Sequence, residues 1–403
     1  MRKSVGFVCG LALVVAACGS DGGGSSTGGN AGSGGDNGGS SGGGSGGTGN
    51  SGGTAGSGGG GNAGGSGNAG GTGNAGGTGN VGGSGGTGAG GSGGTGAGGS
   101  GSGAYFPAGT MFFQRDVSGE PASPQSAAMI ASLRQAGGWG NGDRFQIDFS
   151  IEVLQADGST PRRSFNPTGD FYDPDCDGVA MPVPVGGALE GESGYACEGD
   201  GDCHLIVHAP SENRLYEMWR ADIRGNTFNG GCLAVWETDR TYGELLRGDQ
   251  CTSADAAGFP IAPLLFSADE IAAGSIDHAI RFILPNNRVR ASRYVRPATH
   301  GTRTTGDANA PPYGVHFRLR ADYPLENLPN EAARVVARAL QRYGMYHADG
   351  GNIALTAQSD RFTTAKWADV GLAPRDLVAL QVEDFEVIDH GAPIEVTFDC
   401  VRQ

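Results

Sequence analysis

The folded part of this sequence lacks the short motifs of several large enzyme classes. Between residues 105 and 403 there is no P-loop, no HExxH, no GxSxG and no dinucleotide-binding fingerprint. Positive charge is also scarce, since 27 Lys and Arg residues stand against 42 Asp and Glu residues and the net charge is −15. The missing motifs argue against kinases, serine hydrolases and dehydrogenases, and the charge argues against general nucleic-acid binding.

The N-terminus lacks an apolar run long enough to cross a membrane. The stretch Val5–Ala16 follows two basic residues and is too short to span a bilayer of about 30 Å as a helix, but it fits a secretory signal. It leads into VAAC, which resembles a bacterial lipobox, so we expect a lipoprotein signal peptide at 1–17 and a lipid anchor on Cys18. Because Gly19 rather than Asp follows, we expect the outer membrane or cell surface of a Gram-negative host.

Aromatic residues are absent from the next segment, 18–104. It consists mainly of Gly with Ser, Thr, Asn and Ala. Such a composition cannot bury enough apolar surface to fold, so we expect a disordered tether that holds the rest of the chain clear of the membrane. Residues 105–403 contain no second linker of this kind and are predicted to form a single, monomeric globular domain.

The cysteines of the domain form no CxxC pair, which argues against a zinc ribbon. An even number of cysteines in an exported domain predicts three disulfides, with fifteen possible pairings among Cys176, Cys197, Cys203, Cys232, Cys251 and Cys400. Short loops favour Cys197–Cys203 and Cys232–Cys251. That choice leaves Cys176 to pair with Cys400.

Alternation with a period of two dominates the domain. The segment FQIDFSIEV, residues 145–153, places apolar and polar residues on opposite faces, as in a half-buried antiparallel strand. Similar patterns occur in HLIVHA, RLYEMWRAD, CLAVWET, HAIRFIL, HFRLRA and PIEVTFDC. They predict a mainly β fold of the α+β type, with a β-sandwich or jelly-roll-like core, a few helices and disulfide staples.

One segment has clear helical periodicity. PNEAARVVARALQRYGM offers Asn330 as N-cap and Gly344 as the residue just beyond the C-terminus. Shorter helices are expected near 126–136 and 363–370.

The order of several longer motifs resembles a family of uncharacterised exported bacterial proteins. The motifs are TSADAAGFPI, HAIRF, PATHG and the YGM of ALQRYGMYHADGG, and they are colinear from about residue 110 onward. The resemblance implies one intact domain of a known sequence type. It implies no activity, cofactor or site residue.

Four side chains are candidates for acid–base chemistry. Glu217 shares a strand face with two apolar residues, so it is either buried or lines a cleft, and either environment raises a carboxyl pKa. The alternative is a partnered glutamate of the core. Together with Glu217 we expect His204, His278 and His300 to form the catalytic set, with His300 near a strand end where loops place functional groups.

Two aspartates receive structural interpretations. Asp255 in TSADAAG follows Thr252 and Ser253 and is interpreted as a helix-capping residue. Asp349 in YHADGG precedes Gly350 and is interpreted as a turn residue.

Positive charge is concentrated in one region of this acidic chain. Between residues 281 and 303 there are six arginines and no acid. Arginine binds carboxylate, sulfate or phosphate groups through two parallel hydrogen bonds. Arg318 shares a later strand face with Arg320 and His316. We therefore expect Arg281, Arg296 and Arg318 to bind an anionic glycan such as a uronic-acid polysaccharide. The alternative is a solvated surface balanced by nearby acids.

The segment FYDPDCDG resembles the first half of a calcium-binding loop. Asp173, Asp175 and Asp177 alternate, but Pro184 occupies the twelfth position, where such a loop needs a bidentate carboxylate. Two alternatives stay open: a Ca²⁺ site completed by other ligands, and a turn held by a disulfide of Cys176.

Two functions are compatible with these features. The first is a surface-tethered, glycan-active hydrolase or lyase in which the histidines and Glu217 move protons and arginines hold the substrate. The second is a non-catalytic carbohydrate-binding or adhesion module, stabilised by disulfides and Ca²⁺. A cleft with several perturbed titratable groups favours the enzyme, and an aromatic platform with scattered, partnered histidines favours the module.

Overall fold

The structure is a computed structural model that describes residues 105–199 and 201–403. The predicted signal peptide, Cys18 and the tether lie outside the described residues. The described residues belong to one compact unit. Among them, no helix combines the length and the apolar character needed to cross a bilayer.

Short strands make up most of the regular structure. In chain order they are β1 Ile147–Ile151, β2 Val153–Gln155, β3 Arg162–Arg163, β4 Asn166–Pro167, β5 Met181–Pro182, β6 Leu205–Ala209, β7 Arg214–Trp219, β8 Asp222–Arg224, β9 Thr227–Gly230, β10 Cys232–Glu237, β11 Gly248–Asp249, β12 Ile280–Leu284, β13 Arg293–Tyr294, β14 His316–Leu319, β15 Met345–Gly350, β16 Leu355–Gln358, β17 Phe385–Val387, β18 Ile394–Glu395 and β19 Val401–Arg402. The α-helical segments are α1 Ser126–Gln135, α2 Gly140–Asp143, α3 Ala268–Ala273, α4 Glu331–Arg342 and α5 Trp367–Val370.

Two sheets form the centre of the fold. The larger has the order β1-β16-β12-β15-β14-β17, and the smaller has the order β10-β7-β6-β2. Both are mixed: β1 pairs with β16, β12 with β15 and β2 with β6 in parallel, and the neighbouring pairs β12–β16, β14–β15 and β6–β7 are antiparallel. None of the sheets in the described residues closes into a barrel.

The four-stranded sheet is covered on both faces. On β6, Leu205 and Val207 join a small apolar cluster, whereas Ile206 between them joins the large cluster that also contains residues of the six-stranded sheet. Because both faces are covered, all five residues of β6 are buried. The main core therefore lies between this face of the small sheet and the large sheet.

The mainly β fold class with a few helices and disulfides is confirmed. The expectation that residues 145–153 form a half-buried antiparallel strand is wrong in direction, because β1 runs parallel to β16. Alternation reports which faces are buried and carries no information about the direction of the neighbouring strand. The C-terminal segment PIEVTFDC contains only the two-residue strand β18.

The helix α4 begins where its cap predicts. The side chain of Asn330 accepts a hydrogen bond from the backbone N–H of Ala333 at 2.8 Å. Gly344 follows the helix with φ +71°, and a Cβ there would lie 2.4 Å from the carbonyl oxygen of Phe317. The expected helix near 126–136 is also present as α1, and the one near 363–370 is reduced to α5.

Three disulfides staple the domain, as the cysteine count predicts. Cys197–Cys203 is confirmed. The other two expected pairs are wrong, because Cys176 bonds Cys232 and Cys251 bonds Cys400. The expectation rested on short loops, but the fold aligns β11 with β19, which brings the chain around Cys251 next to the chain around Cys400.

Candidate active site

A cavity of about 410 Å³ lies near the ends of β12 and β15. Its ionisable lining residues are Asp175, Asp255, Asp349, Asp399, His300 and Arg303. Its aromatic lining residues are Tyr172, Trp219, Tyr313 and Phe398. The cavity is therefore both acidic and aromatic, and its volume lies within the usual range of ligand pockets.

The parallel pairing of β12 and β15 creates one wall of this cavity. Parallel neighbours end at the same edge of a sheet. Asn286 follows the end of β12 by two residues, and Asp349 is the penultimate residue of β15. Both side chains line the cavity as a result.

The loop 251–259 supplies a second wall and carries Asp255. Within it, the Ser253 hydroxyl oxygen accepts a hydrogen bond from the backbone N–H of Asp255 at 3.0 Å. Gly258 has φ +79°, and a Cβ at this position would lie 2.2 Å from the Thr299 hydroxyl. Only glycine allows this approach, which brings the loop against the segment containing His300.

Asp255 and Asp349 share one guanidinium nitrogen. Arg281 Nη2 lies 3.2 Å from Asp255 Oδ1 and 3.7 Å from Asp349 Oδ2, and Arg281 Nη1 donates to the Thr356 hydroxyl at 3.2 Å. The two carboxylate oxygens are therefore at most about 7 Å apart, an upper limit that is compatible with the separations of about 5 to 9.5 Å between the paired carboxyl groups of glycoside hydrolases.

Burial raises the pKa of both carboxyl groups. The pKa of Asp255 rises to about 6, because the cost of burying its charge exceeds the stabilisation by Arg281. The pKa of Asp349 rises well above its usual value, first through burial and then through repulsion by Asp255. Of the two carboxyl groups, Asp349 therefore holds a proton more readily than Asp255, because the neighbouring Asp255 charge adds to the effect of burial.

Two polar atoms beside the cavity lack partners. Asp255 is fully buried, and its Oδ2 has no hydrogen-bond partner among the described residues. Asn286 is half-buried, but its Oδ1 atom is buried and also has no hydrogen-bond partner among the described residues. Buried oxygen atoms without partners are rare and carry a free-energy cost, and they are found at functional sites.

His300 is the only member of the expected catalytic set that lines this cavity. Its Nδ1 lies 2.9 Å from the carbonyl oxygen of Ala256, and its ring contacts that of Phe398 at a centroid distance of 5.4 Å. Burial lowers the pKa of His300 to about 4. The ring is therefore neutral at pH 7.

His204 lies behind the cavity in a buried ion pair. Its Nδ1 is 2.6 Å from Glu190 Oε2, and its Nε2 is 3.1 Å from the carbonyl oxygen of Ala254. Burial alone would lower the pKa of His204, but the Glu190 carboxylate outweighs burial and raises it to about 9. A histidine that is protonated at neutral pH cannot accept a proton, so this geometry disfavours the general-base role expected for His204.

Glu217 is a partnered glutamate of the core. Its carboxylate accepts hydrogen bonds from the backbone N–H groups of Ile261 and Ala262 at 2.9 and 2.8 Å, and from Trp236 Nε1 at 3.0 Å. Burial raises its pKa, as the sequence predicts. The carboxylate therefore binds the start of the 3₁₀ turn Ala262–Leu264 and does not line the cavity.

His278 is also buried and partnered. Its Nδ1 lies 2.7 Å from the carbonyl oxygen of Ala279, and its Nε2 lies 3.1 Å from Glu270 Oε1. Glu270 belongs to α3, where its carboxylate also accepts from the N-cap residue Ser267. His278 thus connects α3 to β12, away from the residues that line the cavity.

The three arginines expected to bind substrate all have partners in the protein. Arg281 is buried between Asp255 and Asp349. Arg296 lies 2.7 Å from Asp249, and Arg318 lies 2.6 Å from Glu386. None of the three arginines lines the cavity, and the arginine that does line it is the exposed Arg303.

Two of the three calcium-loop aspartates have partners in the protein. Asp175 Oδ2 accepts from the backbone N–H of Thr252 at 2.8 Å, and Asp177 Oδ1 accepts from Arg402 at 2.7 Å. Ligand atoms of Asp173, Asp175 and Asp177 do not come within 4.8 Å of one another. The arrangement matches the alternative of a disulfide-held turn, since Cys176 is bonded to Cys232.

Two of the residues that build the site were interpreted differently from the sequence. No helix begins at Asp255, and its carboxylate instead forms an ion pair with Arg281. Asp349 lies within β15, although its Oδ1 does accept from the backbone N–H of Gly350 at 2.7 Å, as a turn aspartate would. Both aspartates lie within motifs that carry the family resemblance, TSADAAGFPI and ALQRYGMYHADGG, and this position is the signal in the sequence that points to them.

The fold and the cavity define a disulfide-linked, mainly β domain with a buried carboxyl pair at an acidic, aromatic pocket. Comparisons with family models, with curated proteins and with solved structures find no match to this chain.

Proposed function

We propose that this domain is a carbohydrate-active hydrolase that uses a pair of carboxyl groups. The observation that carries the proposal is the placement of Asp255 and Asp349 on one nitrogen of Arg281 at the wall of the cavity. Burial raises both pKa values, and repulsion by Asp255 raises that of Asp349 further, so the pair offers a weaker and a stronger acid side by side. Asp349 acts as the general acid, and Asp255 acts as the general base or nucleophile.

The lining supports a neutral glycan better than the anionic one expected from the sequence. Four aspartates line the cavity and only His300 and Arg303 carry basic groups, of which His300 is neutral at pH 7. The acidic lining repels a uronate. The four aromatic side chains provide faces on which sugar rings stack.

The second candidate is a carbohydrate-binding module without catalysis. The aromatic lining and the partnered state of His204 and His278 favour it. In both proposals the predicted N-terminal lipid anchor and tether hold the domain at the cell envelope.

A single pair of measurements separates the two candidates. The protein is incubated with a panel of neutral and anionic polysaccharides, and new reducing ends and retardation in affinity electrophoresis are recorded. We expect cleavage of a neutral polysaccharide, a loss of about 100-fold or more in rate for Asp349→Asn, and no change for the exposed control Asp322→Asn.

The two measurements distinguish the hydrolase from the binding module, and the variant tests the role of Asp349. Retardation without any cleavage supports the binding module and refutes the hydrolase. Cleavage that survives in Asp349→Asn refutes the assignment of the general acid.

A further inference from the structure

A second cavity, of about 300 Å³, includes Asp177 in its lining. We call it the arginine cavity, because its charged lining consists of Arg214, Arg240, Arg247 and Arg402 with Asp177 and Glu237. Arg214 begins β7 opposite Glu237 of β10, and Arg402 belongs to β19. Strand ends from two separate sheets thus bring these side chains together.

The arginine cavity carries more positive than negative charge. The side chains that line it supply four guanidinium groups and two carboxylates, in a chain whose net charge is −15. Asp177 is already shared, since it binds both Arg247 and Arg402. Glu237 lies 4.0 Å from Arg240. The acids of the cavity therefore do not balance its arginines.

Arg247 supplies the second observation. It is only 4% exposed, it lines the cavity, and its Nε–H has no hydrogen-bond partner among the described residues. Burial of this cation is costly, and an unpaired buried N–H group adds to the cost. An oxyanion in the cavity would offset the positive charge that Arg247 and the neighbouring arginines place there.

We propose that the arginine cavity binds the oxyanion of a small acidic ligand, of the size of one sugar residue that carries a carboxylate or a phosphate. The planar guanidinium groups match both anions through paired hydrogen bonds. Tyr242, Val179 and Val235 line the same cavity and offer apolar surface to a sugar ring. A volume of about 300 Å³ accommodates one such unit and little more.

This site is separate from the proposed active site. It shares no lining residue with the larger cavity. The anion site expected from the sequence on Arg281, Arg296 and Arg318 is replaced here by other arginines. A failure to find hydrolase activity therefore does not count against ligand binding in the arginine cavity. A failure to find ligand binding in the arginine cavity likewise does not count against the hydrolase.

The test uses the full chain and three probes: glucuronate, glucose 6-phosphate and glucose. Binding is measured by isothermal titration calorimetry at low and at raised salt. We expect saturable binding of at least one acidic probe, weaker binding at raised salt because the contacts are electrostatic, and no binding of glucose. The stronger of the two acidic probes identifies whether the natural group is a carboxylate or a phosphate.

Variants connect the binding to this cavity. Arg240→Gln removes one exposed guanidinium, and Arg375→Gln removes an exposed guanidinium elsewhere as the matched control. We expect the first to weaken binding of the acidic probe about tenfold and the second to leave it unchanged. Circular dichroism verifies that both variants are folded.

Three results would overturn the proposal. They are the absence of saturable binding by both acidic probes, equal binding of glucose, and identical affinities for the two folded variants.

Discussion

The substitution Glu190→Gln tests the electrostatics behind the candidate active site. It keeps the size of the side chain and removes the charge that faces His204 at 2.6 Å. The ordinary pKa of His204 is 6.5, and the ion pair raises it to about 9 in the folded protein. Folding therefore favours the protonated histidine.

The sign and the size of the effect follow from this shift. A histidine whose pKa is raised on folding contributes stability that is fully present below pH 6.5 and is lost as the pH rises through 9. The difference between the two pKa values corresponds to about 3 kcal/mol. Without the Glu190 carboxylate, burial lowers the pKa of His204, and the protonated histidine no longer contributes to the free energy of unfolding.

The assay is urea unfolding of the wild type and of Glu190→Gln at several values between pH 6 and 10. We expect the variant to be less stable by about 3 kcal/mol at pH 6, and the difference to shrink toward pH 10. The exposed Glu326→Gln serves as the control and should follow the wild type at every pH. A difference that is constant or grows with pH would refute the ion pair as the source of the stability.

The remaining predictions concern Asp255 and the long-range disulfide. The pKa of Asp255 in the folded protein is about 6 and lies above its ordinary value of 3.8. The stabilising contribution of Asp255 to the free energy of unfolding is therefore present below pH 3.8 and is lost as the pH rises through 6. In urea unfolding between pH 3.5 and 7, Asp255→Asn should remove about 3 kcal/mol of the change in unfolding free energy with pH. An unchanged pH profile of the unfolding free energy would contradict the argument that burial raises this pKa. The double substitution Cys251→Ser with Cys400→Ser opens a loop with a sequence separation of 149. It should lower the free energy of unfolding by about 5 kcal/mol on loop entropy, and a loss below about 1 kcal/mol would contradict that estimate.

Local patterns in the sequence predicted local structure. The helix α4 begins after the N-cap Asn330 and ends before Gly344, as expected, because capping depends on residues three or four positions apart. The strands β6, β7, β10 and β12 lie where alternating or apolar runs place them. Their order and direction could not be predicted, because sheet pairing joins segments far apart in the chain.

The carboxyl pair shows why the site was missed. The neighbours of Asp255 and Asp349 in the sequence favour a cap and a turn, and both interpretations use only adjacent residues. Their shared partner, Arg281, comes from β12 and is 26 positions from Asp255. Burial of the two carboxyl groups, which is the first cause of both raised pKa values, depends on packing between segments that are far apart in the chain.

The disulfide pattern has a consequence for the order in which the chain matures. The pair Cys197–Cys203 is nested inside Cys176–Cys232, so the first four cysteines of the domain form a closed set. Cys251 is synthesised next and must remain unpaired until Cys400 emerges. A bond formed in that interval between Cys251 and any earlier cysteine would be non-native, and thiol–disulfide exchange would have to reverse it before the domain could close.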